Sequence, residues 1–167
     1  RRGLRFLEAN REAFARAYLP PEWAQDRPET AGFFLFARAD YERALALLSG
    51  STAPVARMFS ALALLALNRR DSALQQLGEL CRQRPGEVQY MLALSRAQDE
   101  VEAEKTLNAA VELTPDNPDA RFERAAFLTE RGTDRALADA QALISRWPED
   151  PDCWYLKREL LRRLGRG

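Results

Sequence analysis

The chain has 167 residues, 46% apolar and 30% charged, and its 25 basic side chains balance 25 acidic ones. Such a composition suits one folded domain or a run of small repeats, excludes wholesale disorder, and lacks the basic surplus of a dedicated nucleic-acid or anionic-membrane binder. Histidine is absent, which rules out a Ser-His-Asp triad, a Cys-His dyad or a His-based zinc site within these residues.

Beginning at Arg1 rather than Met, the chain reads as a piece of something longer. Leu4, Leu7, Phe14 and Tyr18 share one face of an expected helix over Leu4–Tyr18. Prolines at 20, 21 and 28 then break the helical pattern. This segment is expected either to cap the apolar end of the remaining chain or to serve as a binding helix. Downstream, stretches rich in Ala, Leu, Glu and Arg are punctuated by Gly and Pro, and period-two runs of Val, Ile and Thr are missing, so the expectation is helix throughout. The apolar run Ala61–Leu67 fits a buried helix and falls far short of the ~18 residues of a membrane span.

Prolines 54, 85, 115 and 148 are spaced by 31, 30 and 33 residues. In the last interval, Asp119–Arg131 reads as one helix, Gly132 as its left-handed stop, Asp134–Arg146 as a second helix and Pro148 as its end. The two would form an antiparallel hairpin. Ala125, Ala126 and Ala136 are expected where the backbones approach, with Phe127, Leu128, Leu137 and Ile144 around them. Thr114-Pro-Asp-Asn-Pro-Asp-Ala120 returns 33 residues later as Trp147-Pro-Glu-Asp-Pro-Asp-Cys153. An aromatic follows each near the start of a helix (Phe122; Trp154 and Tyr155), and Gly132 and Gly165 share the same offset of 33. A last helix, Cys153–Leu164, is a second cap or half of a further unit.

This pattern resembles the tetratricopeptide repeat (TPR), a helix–turn–helix unit with small residues at two fixed positions and proline near its end. Tyr41 and Ala44 resemble the start of its second helix. Ala61 and Ala73 with Pro85, Ala103 and Ala110 with Pro115, and Ala125, Gly132 and Ala136 with Pro148 resemble successive units. Trp154, Leu161 and Gly165 resemble the first helix of another. The unit over residues 86–115 is four residues short, so its first helix or its inter-helix turn must be trimmed. The resemblance implies an all-α fold, a right-handed α-solenoid of stacked helix-turn-helix repeats. Residues 1–28 would be the capping helix and Pro-rich linker, residues 29–152 about four hairpins, and residues 153–167 the C-terminal cap or truncated fifth repeat. It also implies that the first helix of each pair builds the inner wall.

Carried onto this sequence, the groove-facing positions of the family include Met58 and Leu62, then Tyr90 and Leu94, then Phe122, Ala126 and Thr129, then Tyr155, Glu159 and Arg162, with Asp119, Glu130, Asp152 and Arg163 beside them. Met58, Phe59 and Leu62 could equally be core beneath the N-terminal helix. The family's basic clamp for a terminal carboxylate is missing, because Met58, Tyr90 or Phe122 occupies its leading lysine position. Lys157, Arg158, Arg162, Arg163 and Arg166 form a basic cluster, readable as a site for an acidic partner or as a solvated helix end. Cys81 and Cys153 are expected too far apart for a disulfide. The carboxylate pairs Asp99-Glu100 and Glu149-Asp150 are expected to cap helices.

The functional expectation is a non-enzymatic protein–protein interaction scaffold that docks a polypeptide on the concave face, with no cofactor and no metal. It would be a segment of a larger bacterial assembly or envelope export protein, exopolysaccharide secretion being one candidate, in periplasm or cytoplasm. A single-stranded RNA-binding helical repeat and a passive spacer are the alternatives. Partner identity and oligomeric state are left open by the sequence.

Overall fold

The structure, a computed structural model, describes residues 27–130 and 134–166. The expected helix over Leu4–Tyr18 and the stop at Gly132 lie outside the described residues. Among the described residues there are nine helices and no strand. They are α1 (Pro28–Ala37), α2 (Tyr41–Leu48), α3 (Pro54–Ala66), α4 (Arg70–Gln83), α5 (Val88–Ala97), α6 (Glu100–Leu113), α7 (Pro118–Thr129), α8 (Asp134–Arg146) and α9 (Pro151–Arg163). The chain divides into two compact units, residues 1–85 and residues 86–167.

In the first unit, proline at the first helical position starts both α1 and α3, where its missing N–H costs nothing and its fixed φ suits the helix. Helix α1 is apolar nearly all round, and six consecutive residues of α3, Met58–Ala63, are buried. A helix buried on more than one side needs such a composition. Phe33, Phe36 and Phe59 meet edge to face at 5.0 and 5.1 Å, and Phe36 meets Tyr41 at 5.4 Å, tying α1, α2 and α3 together. Gly32 lets α1 lie against Leu48 of α2: a Cβ there would sit 2.5 Å from Leu48 Cγ. Ala44 and Ala73, both fully buried, keep the second helices close to their partners.

In the second unit two hairpins, α5/α6 and α7/α8, are followed by α9. One core cluster holds Val88, Leu92, Leu107, Ala110, Val111 and Ala120. The next holds Ala125, Leu128, Ala136, Ala140, Leu143, Cys153, Leu156 and Leu160. Phe127 packs against both. Ala125 and Ala136 occupy the close approach between α7 and α8 as expected, whereas Ala126 is exposed on the other side of α7.

The first helices α3, α5, α7 and α9 begin at residues 54, 88, 118 and 151, so the repeat spacing runs 34, 30 and 33. The short repeat is trimmed in both places open to it. Helix α5 has 10 residues against 13 in α3, and residues 98–99 connect it to α6 where residues 67–69 connect α3 to α4.

Asp99 caps α6 by accepting from the Val101 and Glu102 amides at 3.0 Å, and Asp150 caps α9 by accepting from the Asp152 amide at 3.0 Å. Gly165, at φ +65°, ends α9 in the left-handed conformation, its amide donating to Arg162 O and that of Arg166 to Leu161 O.

Candidate functional site

The repeated seven-residue segment, 114–120 and 147–153, sets the geometry. In both copies an Asx residue caps a helix that begins with proline. Asn117 accepts from the Asp119 and Ala120 amides at the start of α7, and Asp150 accepts from the Asp152 amide at the start of α9. The side chain four residues past each cap then reaches back to the carbonyl of the equivalent proline. Arg121 Nε donates to Pro115 O at 2.7 Å, and Trp154 Nε1 donates to Pro148 O at 2.7 Å. Matching starts place α7 and α9 in the same rotational phase. Phe122 is therefore the counterpart of Tyr155, Ala126 of Glu159, and Glu130 of Arg163, each 33 residues apart.

Between these two first helices lies an open groove of about 400 Å³. Helix α7 and the residue after it supply Phe122, Ala126, Thr129 and Glu130; α9 supplies Asp152, Tyr155, Leu156, Glu159 and Arg163. Tyr155 is 62% exposed, and the Arg158 guanidinium sits 5.1 Å from its ring centroid. Thr129 is buried, its hydroxyl donating to Ala125 O.

Charge in the groove is organised around Glu159. Its carboxylate accepts from Arg162 Nε and Nη2 at 3.0 and 2.6 Å and from Arg163 Nε at 2.9 Å. The Arg162 bonds above all, and then that from Arg163, hold its carboxyl down at about 2. Arg163 also reaches Glu130 at 3.3 and 3.4 Å, linking the two helices across the groove.

Of the ten groove positions expected from the sequence, five line this cavity: Phe122, Ala126, Thr129, Tyr155 and Glu159. Arg162 is exposed beside it, bound to Glu159. Tyr90 is buried and Leu94 half-buried on α5; neither lines the groove. Met58 and Leu62 are buried in α3 of the first unit.

The basic cluster on α9 and just after it has internal partners for each member. Arg162 and Arg163 bind Glu159, Arg166 pairs with Asp134, Arg158 stacks on Tyr155, and Lys157 Nζ lies 5.7 Å from the Trp154 ring. Cys81 and Cys153 are not joined in a disulfide, and burial pushes the Cys81 thiol above its ordinary value.

Three features escaped the sequence reading. Leu156 forms part of the groove lining. Arg121 and Trp154 make the same bond at equivalent positions, a correspondence that the offset of 33 would have disclosed. Arg124 and Asp139 form a buried ion pair between α7 and α8, and the sequence holds no signal for it. Arg124 Nε and Nη2 both donate to Asp139 at 2.7 Å, with Arg121 adding a third contact at 3.2 Å.

Among the described residues no cluster of three or more Cys, Asp or Glu is placed to hold a metal ion, and no helix is long and apolar enough to cross a membrane.

No protein-family model matches the chain, and no curated protein matches it in sequence. Solved structures do match it in fold. TTC0263, a thermophilic TPR protein of Thermus thermophilus, superposes with a TM-score of 0.72 at 21% identity, covering 86% of this chain and 84% of its own. The fold is the tetratricopeptide-repeat fold. A TPR protein from Parabacteroides merdae gives a TM-score of 0.68 at 20% identity over 95% of this chain and 66% of its own. YrrB, a TPR protein with an unusual peptide-binding site, gives 0.60 at 17% identity over 93% of this chain and 86% of its own. At these identities the likeness establishes the TPR fold, an all-α array of helical hairpins.

Proposed function

We propose that this TPR-fold chain is a non-enzymatic docking scaffold that holds a partner polypeptide in the groove between α7 and α9. The observation that carries the reading is the groove itself. Val101 and Leu113 of the second unit stand singly at the surface, but here Phe122, Ala126 and Tyr155 come together to line an open cavity. Two helices of matched phase support it, so the surface is organised before a partner arrives. A groove with an aromatic floor and charged edges suits a peptide, which supplies its own backbone polar groups to the rim and apolar side chains to the floor. The peptide-binding site of YrrB, on the same fold, supports this by analogy. Tyr90, buried on α5 of the same unit, acts in this reading as a support rather than a contact, and Met58 and Leu62 belong to the core of the first unit. The setting would be a larger bacterial assembly, envelope export being one candidate. The chain carries no histidine, the side chain most often used as a general base.

The test is a selection of displayed random peptides on the purified chain. Enriched peptides should lose binding when Phe122→Ala or Tyr155→Ala is introduced. Recovery of no peptide, or of peptides indifferent to both substitutions, contradicts the reading.

A further inference from the structure

We infer that the groove between α7 and α9 accepts a lysine or arginine side chain of its partner, which rests on the docking reading above. Three carboxylates line the cavity (Glu130, Asp152 and Glu159) with one guanidinium, Arg163, while Arg162 and Arg158 lie beside it on Glu159 and Tyr155. Glu159 is saturated by Arg162 and Arg163. Glu130 is not: its contacts with Arg163 are long, at 3.3 and 3.4 Å, and its side chain is 77% exposed. Asp152 is exposed in the first turn of α9. Glu130 and Asp152 thus stand at the mouth with negative charge, over walls made by Phe122, Ala126 and Tyr155.

A basic side chain satisfies both layers at once. Its methylene stem covers the apolar wall while its head stays at the wet, acidic mouth. Aromatic faces attract cations, and this protein already uses the device twice on the same helix, Arg158 on Tyr155 and Lys157 on Trp154. A carboxylate or phosphate entering at the mouth would meet the like charge of Glu130 and Asp152. A purely aliphatic side chain would partly desolvate the mouth carboxylates without compensation.

Fluorescence anisotropy with the full chain tests this. The probes are three labelled peptides of one frame, Gly and Ser flanking Leu-Xaa-Leu, with lysine, norleucine or glutamate at Xaa. The lysine peptide should bind about fivefold tighter than the norleucine peptide, with the glutamate peptide weakest, as a partly exposed ion pair allows. That advantage should shrink as salt rises from about 50 mM to about 500 mM. Glu130→Gln and Asp152→Asn should each weaken the lysine peptide about two- to fivefold and leave the norleucine peptide unchanged. Both carboxylates are exposed, and unchanged thermal melts of the variants would show the fold intact. A lysine peptide that binds no tighter than the norleucine one, or not at all, overturns the inference. So does a lysine preference that survives both substitutions. The docking reading answers separately to the display selection: enriched peptides that depend on Phe122 and Tyr155 yet contain no basic residue would retain docking and remove the basic side chain.

Discussion

Replacing Asp139 by alanine should strand the Arg124 guanidinium in the interior of the α7/α8 hairpin. The two side chains are 8% and 2% exposed, and the pair is bidentate at 2.7 Å on both arms. Removing one partner of a buried pair costs about 3–5 kcal/mol, because the other charge remains without compensation. Arg121, with 27% of its side chain exposed, can turn to water when its contact is lost, which places the expected cost near the lower end, about 3 kcal/mol. With a urea dependence of about 1–3 kcal/mol per M, the unfolding midpoint should fall by about 1–3 M. Tryptophan fluorescence in a Trp23→Phe background reports on the second unit alone, through Trp147 and Trp154. The control replaces both partners, Arg124→Met with Asp139→Leu. A well-packed apolar pair should recover most of the loss and can exceed the parent by about 1–4 kcal/mol. A cost under about 1 kcal/mol for Asp139→Ala, the value of a surface pair, would refute the reasoning. A double variant as unstable as the single one would refute it as well.

Three further outcomes are expected. Gly32→Ala should destabilise the first unit by about 1–3 kcal/mol in thermal or urea unfolding, since its Cβ would meet Leu48 Cγ at 2.5 Å and Leu48 is fully buried. An unchanged melt would show that α1 and α2 can part at no cost. The Glu159 carboxyl, followed by carbon NMR, should titrate near pH 2, and Arg162→Ala should return it toward its ordinary 4.5. Because the folded-state value is lowered, its contribution is present above about pH 4.5 and is lost as pH falls through about 2; a midpoint near 4.5 in the parent would contradict the network. Cys153, 1% exposed, and Cys81, whose thiol is raised by burial, should react slowly with an aromatic disulfide reagent at neutral pH and fast once the chain is unfolded. Rapid labelling of Cys153 in the native protein would contradict its burial.

The fold was legible wherever local chemistry decides it. The repeated segment at 114–120 and 147–153 announces a helix cap followed by proline, and α8 spans Asp134–Arg146 as read from its flanking Gly and Pro. Helix α7 ends two residues before the expected Arg131, a boundary that propensity alone does not set. Helix α1 was harder to locate, because an apolar helix in contact with several neighbours carries no amphipathic period. Part of the groove was legible too, since Phe122, Ala126, Tyr155 and Glu159 follow from one repeat phase. Tyr90 shares the phase in sequence but is buried, because burial depends on which helices pack around a position rather than on its place in the repeat. The Arg124–Asp139 pair was illegible for a related reason: its partners lie 15 residues apart on different helices, and only the hairpin crossing brings them together.

Photo-crosslinking tests the central claim most directly. A benzophenone amino acid placed at Tyr155 should capture peptides recovered by display selection, and the same group at Val101, exposed at the start of α6, should not. Equal capture at both positions, or capture at Val101 alone, would contradict a docking groove between α7 and α9.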